Sequence, residues 1–241
     1  LDAVGTAAHR FVDRLYAVVM DQLLPALAER GVRLVSLESL GEEQRASLTP
    51  FFRDAVLPVL TPLAIDVLRP FPRVSSLSLN IAVLLEAIAP EEPRRLAIVQ
   101  VPARLTRLIQ VTGERGCTCV LLEDLIRQHL SLLFPGQPIV ATSAFRLSRD
   151  AELELDDEGG HSQLERVERE LRRRRTNDVV RLEVEAGASA ELVSLLSTQV
   201  EVTGADVYHL PGPLDLRVLM ALHGLSGFEE LRDQPAQPVN P

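Results

Sequence analysis

The chain has 241 residues, 46% apolar and 24% charged, which is enough to bury a full core as one large or two small globular domains. Its net charge of −9 argues against broad nucleic-acid binding, which needs a basic surface. All 25 basic residues are arginine, and the absence of lysine excludes a Walker-type phosphate loop and a Schiff-base lysine. Because no apolar window reaches the roughly 20 residues of a membrane span and no signal peptide is recognisable at the start, we expect no transmembrane segment and a cytoplasmic protein.

The start of the chain carries apolar residues at helical spacing. Four of them recur every fourth residue, with three more nearby: Phe11, Leu15, Val19 and Leu23, then Val12, Tyr16 and Leu27. The spacing predicts a long amphipathic helix over residues 3–29, kinked at Pro25 and ended by Gly31. A second helix is predicted over residues 42–56, although Pro50 sits awkwardly within it.

A loop rich in proline follows, and then a strand. Pro58, Pro62, Pro70 and Pro72 each remove a backbone donor, which predicts a built loop instead of a helix interior or a central strand. Beyond the loop, apolar side chains alternate at Leu77, Leu79, Ile81, Val83 and Leu85, with Ser78, Asn80 and Ala82 between them. This two-residue period predicts a half-buried strand over residues 77–85.

The rest of the chain mixes strands with helices. Strands are predicted at residues 95–101, 117–122, 152–156 and 180–184, and helices at residues 123–133, 162–171, 189–199 and 214–223. This order predicts an α+β domain. Cys117 and Cys119 would point to the same face of a strand, and we interpret them as reduced structural thiols because two ligands do not make a zinc site.

Two groups of charged or titratable residues are weak site candidates. The cluster Arg172 to Arg175 could bind a polyanion, but favourable i, i+4 pairs with glutamates favour a solvated helix face. The five histidines show neither a metal-ligand spacing nor a nucleophile motif, so we interpret them as surface or satisfied core residues.

Four other arginines form the candidate site that we retain. Arg69 and Arg73 border the proline-rich loop, and Arg146 and Arg149 border the predicted 152–156 strand. If the two pairs converge, they would offer forked donors to successive phosphate groups, as on a polyphosphate path. Alternatively, they pair with carboxylates of the chain itself. The sequence leaves both interpretations open.

Several ordered blocks carry a resemblance to a known family. They are PVLTPLAID at residues 58–66, PFPR at 70–73, SLSLN at 76–80, LLFPG at 132–136, FRLSRDAELELD at 145–156, ELRRRR at 170–175, VVRLEVE at 179–185 and GPLDL at 212–216. Together they resemble the head domain of the long, multidomain polyphosphate kinases. The resemblance implies a mixed sheet with packed helices over residues 42–233, preceded over residues 1–41 by a long helix from an all-helical N-terminal domain. Residues 234–241 would then be a linker toward catalytic domains.

The resemblance also implies a function for the whole enzyme. Such kinases reversibly transfer the terminal phosphate of ATP to polyphosphate through a phosphohistidine, with magnesium, and the phosphorylated histidine lies in domains that follow the head domain. The family's HPY-type motif is absent here and none of the five histidines matches it, so no catalytic, cofactor-binding or metal-binding residue is assigned, and ATP and magnesium are expected only for the full-length enzyme. For this portion the resemblance implies a homodimer and a role in shaping the active-site tunnel, without catalysis. The alternative is a free-standing module that binds polyphosphate or a protein partner.

Overall fold

The computed structural model describes residues 2–65, 71–72, 74–89, 91–111, 116–150 and 178–233. Several predicted features lie outside these residues: Arg69, Arg73, His161, the strand at 152–156, the helix at 162–171, the cluster Arg172 to Arg175 and the linker at 234–241. None of the described helices combines the length and the hydropathy that a membrane span requires.

A continuous helical segment opens the chain. It consists of α1 (Asp2–Val18), a π-helical turn (Val19–Leu23) and α2 (Leu24–Glu29). Pro25 lies in the first turn of α2, where a missing N–H is tolerated, and the wide π turn comes directly before it. The segment ends ahead of Gly31, whose φ of +86° suits a helix C-terminus, so the predicted helix and its end are confirmed.

The buried side of this helix differs from the simplest sequence pattern. Phe11 is 68% exposed and Leu15 is also exposed, whereas Val12, Tyr16 and Val19 are buried. Of the four residues in the four-residue repeat only Val19 is buried, so the repeat as a whole does not mark the core face. Tyr16 faces inward because its hydroxyl donates a hydrogen bond to the carbonyl oxygen of Pro213, 2.6 Å away.

The second predicted helix is also present. It consists of α3 (Glu42–Phe51), a π turn (Phe52–Val56) and a 3-10 turn (Leu57–Val59). Pro50 is accommodated inside α3 without ending the helix. The backbone N–H of Gly41 donates to the side-chain oxygen of Gln44, which satisfies one of the free donors at the helix start.

The described residues contain nine strands in two sheets. The strands are β1 (Val32–Leu34), β2 (Pro62–Ile65), β3 (Leu79–Leu85), β4 (Arg95–Gln100), β5 (Leu108–Val111), β6 (Cys117–Leu121), β7 (Ile139–Arg149), β8 (Val179–Glu185) and β9 (Val207–Leu210). The larger sheet has the order β2-β4-β3-β7-β8-β9, and the smaller one has the order β1-β6-β5. In the larger sheet only β8 and β9 pair in parallel. The predicted α+β fold with a mixed sheet is confirmed.

The centre of the larger sheet corrects two predictions. All seven residues of β3 are buried, so the predicted half-buried strand is wrong: Ile81 packs on one face and Leu84 on the other. Leu77 lies outside the strand, with φ at +60° and its side chain exposed. The proline-rich stretch is not entirely loop either, because Pro62 begins β2, an edge strand where a missing donor is tolerated.

The described residues contain four further α-helices. They are α4 (Leu122–Gln128), α5 (Leu130–Leu133), α6 (Ala190–Val200) and α7 (Leu219–His223). The predicted helix at 123–133 is divided at His129. The predicted helix at 214–223 consists of a 3-10 turn (Leu216–Val218) followed by α7. Ser189 caps α6 by accepting a hydrogen bond from the N–H of Leu192. Leu192 and Leu196 of α6 cover one face of the sheet, and Leu125 of α4 covers the other.

Candidate functional site

The structure describes two of the four candidate arginines, Arg146 and Arg149. Arg69 and Arg73 lie outside the described residues. Arg146 and Arg149 lie within the strand β7, which is 11 residues long. The Nε of Arg149 donates to the carbonyl oxygen of Val74, the residue that follows Arg73, over 3.3 Å. Arg149 thus lies against Val74, whereas Arg146 points elsewhere.

Arg146 is part of a buried ion-pair network. It is the cross-strand partner of Glu183 on β8, and its Nε donates to Glu183 over 2.5 Å. The Glu183 side chain is only 3% exposed and that of Arg146 17%. Glu183 also pairs with Arg181 over 2.6 Å, and the Arg181 guanidinium stacks on the Tyr208 ring 3.9 Å from its centroid. A charge this deeply buried is stable only with such partners.

The network holds the GPLDL block at residues 212–216. Asp215 is 3.4 Å from Arg146 and pairs with Arg217 over 2.6 Å. Burial alone would raise the pKa of Asp215, but the side-chain and backbone hydrogen bonds from Arg217 outweigh it and hold the pKa below its usual value. The carboxylate therefore stays ionised at neutral pH, as a partner for both guanidiniums.

Two further side chains fix the same block from other elements. Arg107 forms an ion pair with the buried Glu123 of α4 and donates to the carbonyl oxygen of Asp215 over 2.5 Å. Tyr16 of α1 donates to Pro213. Burial, assisted by the Glu183 carboxylate, raises the pKa of Tyr16 to about 12, so this hydroxyl keeps its proton and its donor role. The block is therefore fixed by Tyr16 from α1, by Arg107, the residue before β5, and by Arg146 from the larger sheet.

A cavity of about 340 Å³ lies beside this network. Its apolar lining includes Met20, Leu24, Leu34 and Leu214, and its acidic lining is Glu123, Asp124 and Glu185. Arg127 pairs with Glu185 over 2.5 Å and lies 3.6 Å from Asp124. The other oxygen of Glu185 accepts a hydrogen bond from the N–H of Ala144. Two of the three carboxylates are thus satisfied by the chain itself.

Asp124 is the carboxylate of this cavity with the longest ion pair, 3.6 Å to Arg127. Burial raises the pKa of Asp124 to about 6. The Arg127 guanidinium lowers this pKa in part, and the carboxylates of Glu123 and Glu185 raise it further. Such a group can exchange a proton near neutral pH, but an active site also needs a nucleophile, a metal or a substrate-binding group beside it. Within the described ranges, no group of three His, Cys, Asp or Glu side chains could hold a metal ion. We assign neither a magnesium site nor a phosphoryl-transfer step to the described residues.

Two of the four histidines that the structure describes, His9 and His129, stack on aromatic rings. The His9 ring stacks on Tyr208 with centroids 3.8 Å apart and bonds the carbonyl oxygen of Ala205. The His129 ring stacks on Phe52, and its Nδ1 is 2.9 Å from the carbonyl oxygen of Leu125. His209 and His223 are exposed.

The sequence interpretation missed most of the network. The sequence interpretation does not include Glu123, Glu183 or Asp215, whose side chains are 4%, 3% and 13% exposed. For Glu183 the reason is that the alternation on β8 suggests a side chain that faces solvent. One signal was available: Asp215 sits between apolar residues in the GPLDL block, where a solvated acid is unusual. Cross-strand pairing, which links Glu183 to Arg146, was not visible without the fold.

The fold and the network define the class of the chain as an α+β scaffold in which the buried arginines bind carboxylates of the chain itself. A family model for the polyphosphate kinase middle domain matches residues 43–222, which is most of the chain. The chain therefore belongs to the polyphosphate kinase family.

Similar proteins agree with this assignment. The chain is 39% identical to polyphosphate kinase from Streptomyces coelicolor over 225 residues, which cover 93% of the chain and 30% of that protein. It is 37% identical to polyphosphate kinase from Exiguobacterium sibiricum, over 100% of the chain and 34% of that protein. The crystal structure of polyphosphate kinase from Porphyromonas gingivalis has the same fold, with a TM-score of 0.77 and 22% identity over 99% of this chain and 34% of that one. The chain spans about a third of the length of these relatives.

Proposed function

We propose that the chain is the noncatalytic head-domain portion of a polyphosphate kinase. Residues 1–41 would be the end of an N-terminal helical domain, residues 42–233 the head domain and residues 234–241 a linker. The full-length enzyme would act in the cytoplasm, transferring the terminal phosphate of ATP reversibly to polyphosphate through a phosphohistidine, with magnesium. This portion would serve dimer formation and would shape the active-site tunnel.

The observation that carries the proposal is the use of the buried arginines. Phosphoryl transfer depends on cationic donors that are free to bind phosphate oxygens, together with a positioned nucleophile. In this chain the arginines of the network bind carboxylates instead. Arg107 binds Glu123, Arg127 binds Glu185, and both Arg146 and Arg181 bind Glu183. Because these arginines bind carboxylates of the chain itself, they support the role of a scaffold that positions loops such as residues 211–217.

A polyphosphate path along Arg69, Arg73, Arg146 and Arg149 is part of the proposal. Its four members are not equivalent. Arg146 would have to leave the buried Glu183 carboxylate before it could bind phosphate, at the cost of an uncompensated buried charge. Arg149 lies at the end of β7 beside Val74, so we propose Arg149 as the contribution of β7 to this path.

The test is an activity measurement on the purified 241-residue chain. With ATP, magnesium and a polyphosphate primer, we expect no polyphosphate synthesis above a reaction without protein. A full-length relative, such as the enzyme from Exiguobacterium sibiricum, serves as the positive control in the same buffer. Magnesium-dependent synthesis by the chain alone would overturn the noncatalytic assignment.

The same preparation tests the two remaining parts of the proposal. Light scattering at several concentrations should give the mass of a homodimer, and a strictly monomeric mass would contradict a role in dimer formation. The free-standing module predicts instead a monomer that retains polyphosphate on a filter. Binding without dimer formation would favour that alternative.

A further inference from the structure

The two cysteines form a close pair on β6. Cys117 and Cys119 are the only cysteines in the sequence, and both are free thiols. Because residues i and i+2 of a strand point to the same side, their side chains meet, and the two Sγ atoms are 3.5 Å apart. This contact is close enough for chemistry between the two sulfurs after a small movement of the side chains.

The two thiols have different access to solvent. Cys117 is the first residue of β6 and is half-buried. Cys119 is fully buried in a cluster with Val32, Leu108 and Leu121. Burial, with the hydrogen bond to Cys117, raises the pKa of the Cys119 thiol to about 12, so Cys119 remains protonated at neutral pH. A water-borne oxidant therefore meets Cys117 first, with Cys119 in place as the second thiol.

We propose that Cys117 and Cys119 are a modification site at which a peroxide forms a reversible disulfide within β6. The Cys117 thiolate attacks one oxygen of hydrogen peroxide, the O–O bond breaks, and the departing hydroxide takes up a proton to become water. The sulfur of Cys119 then attacks the resulting sulfenic acid, the S–O bond breaks, and the hydroxide leaves with the Cys119 proton as a second water. The two sulfurs lose two electrons in total, and the two peroxide oxygens gain them.

The disulfide acts on the strand that contains it. Extended residues i and i+2 have Cα atoms about 6.6 Å apart, whereas disulfides most often span about 5.5 to 6 Å, so the bond favours a contracted β6. β6 is the central strand of the smaller sheet, and Cys117 and Cys119 pair with Val32 and Leu34 of β1. Two flanking hydrogen bonds complete the attachment, from Cys117 N–H to Gly31 and from Val35 N–H to Cys119. Oxidation therefore loosens β1, the strand that follows the N-terminal helix.

Mass spectrometry tests the disulfide directly. The reduced 241-residue chain is treated with hydrogen peroxide, then denatured and alkylated with iodoacetamide. We expect a mass lower by two hydrogen atoms, no alkylation of either cysteine, and full recovery of both thiols after reduction with a phosphine. Two alkylated cysteines, a sulfinic acid on Cys117 or a disulfide between two chains would each overturn the proposal.

Variants assign the order of the steps. In Cys119→Ala, the sulfenic acid on Cys117 has no partner, so dimedone should trap it, and the trapped fraction should exceed that of the wild type severalfold. In Cys117→Ser, the buried Cys119 should stay reduced at the same peroxide concentration. Equal trapping in the wild type and in Cys119→Ala would show that Cys119 does not resolve the sulfenic acid. The wild-type mass measurement does not depend on the folding of either variant.

Hydrogen exchange tests the structural consequence. Amides of β1 and β6 should exchange severalfold faster in the oxidised chain and return to their slow rates after reduction. Amides of β3, in the other sheet, serve as the internal control and should not change. A complete disulfide with unchanged exchange in β1 would refute the loosening. This site is independent of the proposed function, so either can fail without the other.

Discussion

Two buried regions of this chain are stabilised by different physics. The centre of the larger sheet is mainly apolar: all seven residues of β3 are buried, and six of them, all but Asn80, are apolar. The network on β7 and β8 is nearly as deep, yet it contains the charges of Arg146 and Glu183. Apolar burial is favourable without a specific partner, whereas a buried charge is tolerated only when its partner is in place. The first region supplies stability, and the second fixes the position of the GPLDL block.

The largest expected effect comes from the apolar region. Phe145 is fully buried in the core on β7. Phe145→Ala should lower the free energy of unfolding by about 3 to 5 kcal/mol, because it removes a large apolar side chain and leaves a cavity. Urea denaturation followed by circular dichroism measures the change.

The control is another phenylalanine in the same chain. Phe11 is 68% exposed, so Phe11→Ala should change the free energy of unfolding by about 0.5 kcal/mol or less. Equal losses in the two variants would mean that burial does not distinguish these sites and would undermine the comparison.

The next effect comes from the network. Glu183→Ala should lower the free energy of unfolding by about 2 to 4 kcal/mol, because Arg146 and Arg181 lose a buried partner. The lower part of this range allows for the 17% exposure of the Arg146 side chain. Equilibrium unfolding in urea at neutral pH measures the loss.

An exposed ion pair and a double variant separate charge from packing. Glu191 pairs with Arg94 at the surface, and Glu191→Ala should cost about 0 to 1 kcal/mol. Replacing both partners of one pair, as Arg146→Met with Glu183→Leu, should recover part of the loss of Glu183→Ala, since Arg146 is then no longer a buried charge without its carboxylate, although Arg181 keeps only its stacking on Tyr208. If the double variant is less stable than Glu183→Ala, the network contributes net stability and the comparison must be revised.

The smallest effect depends on pH. The folded-state pKa of Asp124 is about 6, above its usual value of 3.8, so the native state holds this proton more tightly than the unfolded state and loses stability as pH rises from about 4 to 6. Asp124→Asn should therefore be more stable than the wild type at pH 8, by about 1 to 2 kcal/mol after allowance for partial solvent screening, and similar to it at pH 4. Urea denaturation at both pH values measures the difference.

Asp215 provides the opposite case. Its pKa is lowered, so its contribution is present at neutral pH and is lost as pH falls through the lowered value. Asp215→Asn should be less stable than the wild type at pH 8. If both asparagine variants shift stability in the same direction at pH 8, the electrostatic distinction between the two carboxyl groups is wrong.

Much of the fold could be predicted from local patterns, and most of the network could not. Both long N-terminal helices and β3, β4, β6 and β8 were recognisable because helical and strand periods are properties of neighbouring residues. β7 was missed because Thr142 and Ser143 interrupt its apolar pattern and both of its neighbours in the sheet come from distant parts of the sequence. Arg146 was singled out for its charge, but its partner Glu183 is 37 residues away in sequence.

The sequence alone determined the α+β class, the family resemblance and the close pair of cysteines, because each depends on the identity and spacing of nearby residues. The tertiary structure decided which side of α1 is buried, that β3 is covered on both faces, and that Arg146 binds Glu183 and Asp215. Burial and ion pairing depend on elements that come into contact only in the folded chain. The free energy of a buried charge is therefore decided by its partner in the fold more than by the type of residue.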